Sequence, residues 1–214
     1  MKKLPKVTKR QLLEQMSDIG DSDMVKKAFD IVQKAHSNQK RESGGSYLYE
    51  HVYYVTSLLL TSYRNDKDIE ILVVCSLLHD TVEDAGVKIS QIQKIFGERV
   101  AEIVSLLSKP SESKNKLLSL DEKYMETQNY LERLSGDREA VVVKIFDRIA
   151  NVKCIGQGVV QSNPKKYLRY YKETKNLYIP LAKKYDLEKQ VKVLEREMDR
   201  VEELLGDILL AYKY

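Results

Sequence analysis

Apolar residues recur at three- and four-residue intervals along almost the whole chain, the signature of helices that each bury one face. Val25, Ala28, Phe29, Val32 and Ala35 form such a stripe behind a cap at Asp21 or Ser22. Thr8 with Gln11, and Ser119 with Glu122, read as capping boxes that open helices. The same spacing predicts helices over about 48–62 and 67–80, near 90–96 up to Gly97, and on to about Leu107. Asn163-Pro164 supplies a cap and an N1 proline, Pro180 interrupts or restarts that helix, and 187–212 reads as an amphipathic packing helix. Polar breaks fall at Asn38–Ser46 and around Asp84-Ala85-Gly86, and Ser108–Asn115 reads as a mobile loop. No period-2 strand and no repeat stands out. The expected class is all-α, in one domain over 1–214 with its core at about 22–190.

Three places break the amphipathic rule. The run Ile71–Leu78 is apolar throughout, then ends in His79-Asp80-Thr81-Val82-Glu83-Asp84. Charged groups are costly to bury unless paired or metal-bound, so this acidic end is expected to line a pocket. On a continuous helix Glu83 shares a face with His79 and Asp80. The second place is Glu139–Ile155, apolar on nearly every side, with Lys144, Asp147, Arg148 and Asn151 in one stripe. The third is His51, at the start of a helix; the chain has only 3 histidines, His36, His51 and His79. Singly, a histidine is more often a satisfied core residue, and an Asp–Arg pair an internal ion pair. Together these elements point to a metal-dependent hydrolase, because histidine with aspartate suits a divalent ion and a further carboxylate can move a proton.

At 214 residues the chain can bury one substantial core. The net charge of +4 is mild and the charges alternate in sign along the helices, which argues against a nucleic-acid partner. No apolar run reaches the roughly 18 residues of a membrane span. The basic N-terminus lacks an apolar signal core, so the expected location is the cytoplasm. Cys75 and Cys154 sit in apolar stretches and read as buried free thiols. Oligomerisation is left open.

The order His51, His79-Asp80, Asp147 resembles the His…His-Asp…Asp pattern of HD-domain phosphohydrolases. More closely, Ala35-His36…Gln39…Arg41…Gly44, Leu77-Leu78-His79-Asp80-Thr81-Val82-Glu83-Asp84 and Lys144…Asp147-Arg148…Asn151 resemble the alarmone hydrolase domain of the RelA/SpoT family. Glu173-Thr174 and Tyr178…Pro180-Leu181-Ala182 match its following stretch. The family usually has proline after the first histidine, where this chain has Val52, and Gly-x-Pro-Tyr before it. Here Gly44-Gly45-Ser46-Tyr47 lacks that proline and lies one residue further from His51.

The resemblance implies an HD-type helical bundle with one Mn²⁺ held by His51, His79, Asp80 and Asp147. It implies hydrolysis of the 3′-pyrophosphate of guanosine tetra- or pentaphosphate to GDP or GTP and pyrophosphate. Glu83 and Asp84 would orient or deprotonate the water. Lys40, Arg41 and Ser43 would contact the guanine side and Asn151 the ribose, while Lys144 and Arg148 would neutralise phosphates or brace Asp147. His36 would be structural. Three histidines are too few for a dinuclear HD site, and the family's synthetase domain has no counterpart here. Two alternatives stand beside this: an HD phosphohydrolase acting on another nucleotide, such as an NADPH 2′-phosphatase, and a non-catalytic alarmone-binding module.

Overall fold

The structure, a computed structural model, describes residues 3–17, 22–42, 44–109, 118–206 and 208–209. Among these the chain is helical, and the only β pairing is a bridge between Lys40 and Ser46. Thr8 caps α1 (Lys9–Gln15) through a full capping box, and Ser22 caps α2 (Asp23–His36). A π turn, Leu48–Val52, leads into α3 (Tyr53–Tyr63), and α4 spans Ile69–Leu78. The short α5 (Thr81–Ala85), α6 (Ile89–Phe96) and α7 (Glu98–Leu107) follow. Gly97 separates the last two at φ +87°, a left-handed backbone that glycine adopts freely. Ser119 opens α8 (Leu120–Leu134) with its capping box, and Asp137 caps α9 (Arg138–Lys153). Then come α10 (Gln157–Ser162), α11 (Pro164–Glu173), a second π turn (Thr174–Tyr178), α12 (Ile179–Lys184) and α13 (Glu188–Leu205).

The two helices without an amphipathic face lie at the centre. From Leu72 to Leu78 every residue of α4 is buried, and α9 is buried from Ala140 to Val143 and from Ile145 to Ala150. A helix apolar all round must be enclosed, and here α2, α3 and α7 pack on α4 while α3, α7 and α13 pack on α9. The amphipathic α13 also caps its neighbour. Arg200 donates to the carbonyls of Val152 and Ile155 at 2.9 and 2.7 Å, tying α13 to the C-terminal end of α9 and the residues just after it.

The structure departs from the sequence reading at two joints that matter. The helix expected over 67–80 stops at Leu78, and the segment read as a loop around Asp84 is α5. His79 and Asp80 therefore occupy a corner, pinned where the Thr81 hydroxyl donates to the Leu78 carbonyl at 2.8 Å. The short α10 was not expected either. Of the predicted mobile loop Ser108–Asn115, only Ser108 and Lys109 lie within the described residues. Cys75 and Cys154 are free and buried, as expected. Among the described residues no helix is long and apolar enough to cross a membrane.

Candidate metal and nucleotide site

The corner, the first π turn and the middle of α9 bring four side chains to one buried point. His79 Nδ1 lies 2.7 Å from the Ser76 carbonyl oxygen. A carbonyl only accepts, so Nδ1 carries a hydrogen and Nε2 is the nitrogen turned inward, free to ligate once its proton is lost. His51 Nε2 faces it at 3.4 Å. Asp80 Oδ2 stands 2.9 Å from His79 Nε2 and 3.3 Å from His51 Nε2. Asp147 Oδ1 stands 3.3 Å from His51 Nε2, and the ligand atoms of His51, His79 and Asp147 all fall within 4.8 Å of one another. Two imidazoles and two carboxylates crowded at a largely buried point are a donor set for a divalent cation.

The electrostatics show the same demand. Burial alone would lower the His79 pKa, but Asp80 and then Asp147 lift it to about 9. Burial would raise the carboxyl of Asp147, yet Lys144 and His51 pull it well below the usual carboxylate range. Asp80 goes the same way, with His79 and His51 overcoming its desolvation. The pocket is organised around positive charge.

Several neighbours hold these four in place. The Tyr47 hydroxyl donates to Asp80 Oδ2, and its ring lies between those of His36 and His51, at 5.2 and 4.9 Å. Buried His36, paired with Gln39, is thus a prop for Tyr47 rather than a member of the cluster. Asp147 is wired on both oxygens: Asn151 Nδ2 donates to Oδ1 at 2.6 Å, and Lys144 Nζ sits 2.8 Å from Oδ2. The longer spacing between Tyr47 and His51 is absorbed by the π turn Leu48–Val52, whose wider i→i+5 turn accommodates one residue more than an α turn.

Glu83 and Asp84 lie on α5, just past the corner. Glu83 is half-buried and its Oε2 accepts the Lys109 backbone N–H at 3.2 Å. Asp84 is exposed, and its N–H donates to the Asp80 carbonyl at 2.8 Å. Lys109 had no sequence signal, since it stands in a polar stretch. It nevertheless brings its ammonium 5.4 Å from the centroid of Tyr130, and Lys144 brings its own 5.3 Å from the same ring. Burial, then repulsion from Lys144, depresses the Lys109 pKa while Glu83 opposes this. The flank next to Glu83 is therefore cationic.

On the other side of the cluster a cavity of about 220 Å³ opens among Lys40, Arg41, Glu42, Tyr47, Asn151 and Tyr167. Arg41 Nη2 donates to Cys154 Sγ at 3.2 Å, and its Nη1 is buried with no partner among the described residues. Lys40, Arg41 and Asn151 thus gather at one cavity, while Ser43 lies outside the described residues. Glu42, Tyr167 and Cys154 line it too, and no sequence signal marked them.

Arg148 does not join either side. Its guanidinium lies between the rings of Tyr170 and Tyr178, 4.3 and 4.2 Å from their centroids. It donates to Thr174 Oγ1, the Tyr170 carbonyl and Glu173 at 2.9, 2.9 and 3.0 Å. Those bonds latch α11 and the second π turn onto α9.

Fold and site together define an all-helical protein with a buried His/Asp centre suited to a divalent metal. The chain belongs to the HD-domain family, whose profile matches residues 28–188. It is 31% identical over 160 residues to a probable guanosine-3′,5′-bis(diphosphate) 3′-pyrophosphohydrolase of Synechocystis sp., covering 74% of this chain and 20% of that protein. It is 32% identical over 164 residues to a GTP pyrophosphokinase of Myxococcus xanthus, covering 76% and 20% respectively. The chain thus spans about a fifth of the length of these relatives. A solved structure described as a metazoan ortholog of SpoT that hydrolyses ppGpp shares the fold, with a TM-score of 0.62 at 19% identity, over 87% of this chain and 98% of that one.

Proposed function

We propose that this protein hydrolyses the 3′-pyrophosphate of guanosine tetra- or pentaphosphate, giving GDP or GTP and pyrophosphate, in the cytoplasm. The observation that carries this reading is the convergence of His51, His79, Asp80 and Asp147 between a cationic flank and a small cavity. One flank holds Lys109 and Lys144, and the other a small cavity with rings and mixed polar groups. A nucleotide with phosphates at one end and a base at the other fits that polarity. The names of the relatives supply the particular nucleotide.

His51, His79, Asp80 and Asp147 would hold one Mn²⁺, which when bound acidifies a water and acts as a Lewis acid toward a phosphate oxygen. Glu83, beside the corner, takes or steers the proton of the attacking water, and Asp84 assists from the same helix. Lys144, fixed by Asp147, and Lys109 offset charge on the departing pyrophosphate. Lys40, Arg41 and Ser43 face the base, and Asn151 faces the ribose. The test is product analysis. Guanosine tetraphosphate incubated with protein reconstituted with Mn²⁺, and separately with other divalent ions, should yield GDP and pyrophosphate. Tight binding without turnover under every metal would overturn the reading in favour of a binding module.

A further inference from the structure

We infer that Glu42 reads the donor edge of a guanine base and sets the protein's preference for guanine over hypoxanthine and adenine. The inference rests on the base lying in the cavity beside Arg41. That cavity, at about 220 Å³, is below the range of whole-ligand pockets and takes one moiety of a nucleotide. Tyr167 supplies an aromatic wall on which a base can stack.

The polar groups then sort themselves by what they offer. Arg41 Nη2 is spent on Cys154, which leaves Nη1 as a buried donor with no acceptor among the described residues. A buried donor without an acceptor is costly, and Arg41 lines the cavity, so a small shift of its guanidinium on binding would let a ligand accept there. The next residue, Glu42, offers the opposite. Lys166 Nζ holds one carboxylate oxygen, and the Tyr167 hydroxyl lies 3.3 Å from the other. The Lys166 contact keeps the Glu42 carboxyl below its ordinary range, so it is ionised and only accepts. Adjacent donor and acceptor groups match guanine, whose edge presents O6 as acceptor beside N1–H and the 2-amino group as donors. Hypoxanthine lacks the 2-amino donor. Adenine turns an acceptor nitrogen toward the carboxylate, which disfavours it.

The test is calorimetric titration of GDP, IDP and ADP into the native protein, Glu42→Gln and Glu42→Asp. Binding of these diphosphates reads the base alone and requires no turnover. Glu42 is exposed, and circular dichroism checks that each variant keeps its helices. A charge-assisted hydrogen bond predicts that the native protein prefers GDP to IDP by about tenfold to a hundredfold. Glu42→Gln should bring GDP and IDP close to parity and narrow the gap to ADP, with Glu42→Asp in between. An unchanged GDP-to-IDP ratio in Glu42→Gln overturns the inference, as does native binding of ADP equal to GDP. Turnover of guanosine tetraphosphate on the same samples separates the two claims. Guanine preference without hydrolysis would sink the proposed reaction and leave Glu42 standing, while hydrolysis with GDP and IDP at parity would do the reverse.

Discussion

The metal cluster and the base cavity share two walls, yet they are built in opposite ways. The cluster draws its ligands from the C-terminal end of α4, the middle of α9 and a π turn, and His51, His79 and Asp147 are all buried. The cavity draws on the segment after α2, closed by bonds from Arg41 N–H to the Gly45 carbonyl and from Tyr47 N–H to the Gln39 carbonyl, and on α11. On the proposed reading, chemistry that must hold an ion to tenths of an ångström would sit on packed helices, and recognition that distinguishes one base from another on a short polar segment. Tyr47 and Asn151 belong to both, lining the cavity while bonding Asp80 and Asp147.

This division predicts that substitutions sort by side. Asp147→Asn has the largest expected effect. It removes one of four proposed ligands and leaves Lys144 without its counter-ion in the interior. Bound metal should fall well below one equivalent, and turnover should drop by on the order of 10³-fold or more, with elemental analysis and steady-state kinetics as the measurements. Retention of a full equivalent of metal would remove Asp147 from the coordination set. Glu83→Gln comes next. It keeps shape and lacks charge, so metal and nucleotide should still bind while kcat falls by about 10²–10⁴-fold. A near-native kcat would end the proton-handling role of Glu83.

The same division explains what the sequence made legible. His79, Asp80 and Asp147 stand out because ligand-type side chains interrupt helices that are otherwise apolar, and such a conflict is visible in one dimension. The helices themselves were legible from their caps: Thr8, Ser119 and Asn163 each start the helix they were expected to start, and Ser22, one of two candidates, starts α2. The bend at His79-Asp80 was not, since the helical repeat runs on through the corner into α5. The π turn before His51 leaves no mark in a period-3.6 pattern. Glu42, Lys109, Cys154 and Tyr167 are ordinary residues in ordinary segments, and only their meeting in space gives them meaning. The surroundings of Arg148 were hidden too, because its place on the polar stripe of α9 does not show that Glu173 lies against it.

Two substitutions sharpen the boundary between the regions. Tyr47→Phe deletes the hydroxyl that orients Asp80 and leaves the ring in the cavity wall. Metal affinity should weaken by about 10–100-fold, the usual effect of losing a partner that orients a ligand, while affinity for GDP changes little. A loss confined to GDP would place Tyr47 on the base side alone. Gly45→Ala works from the other direction. A Cβ at Gly45 would lie 1.9 Å from Oε2 of buried Glu50, so the Glu50 carboxylate or the turn behind Arg41 must shift. KM for the nucleotide should rise roughly tenfold, the cost of about one lost hydrogen bond, with metal content unchanged. Loss of metal in Gly45→Ala would show that the turn and the cluster move as one unit.

The smallest effect expected is thermal and depends on pH. In the metal-free protein the His79 pKa is raised from 6.5 to about 9, chiefly by Asp80 acting against burial. The folded state therefore keeps a proton that the unfolded state has released between those two values. Stability from this group is complete below about pH 6.5, declines as pH rises, and is gone above about 9. With a metal on Nε2 the imidazole carries no such proton, so that decline is absent, and weaker proton competition tightens metal binding as pH rises. The melting temperature of the metal-loaded protein should exceed that of the metal-free protein by a margin that widens from pH 6.5 to 9. At roughly 2–4 °C per kcal/mol for a chain of this size, the widening amounts to several degrees. Groups far from the cluster titrate alike in both forms and cancel in the difference. A margin that stays flat or narrows over this interval would mean that His79 does not exchange its proton for a metal.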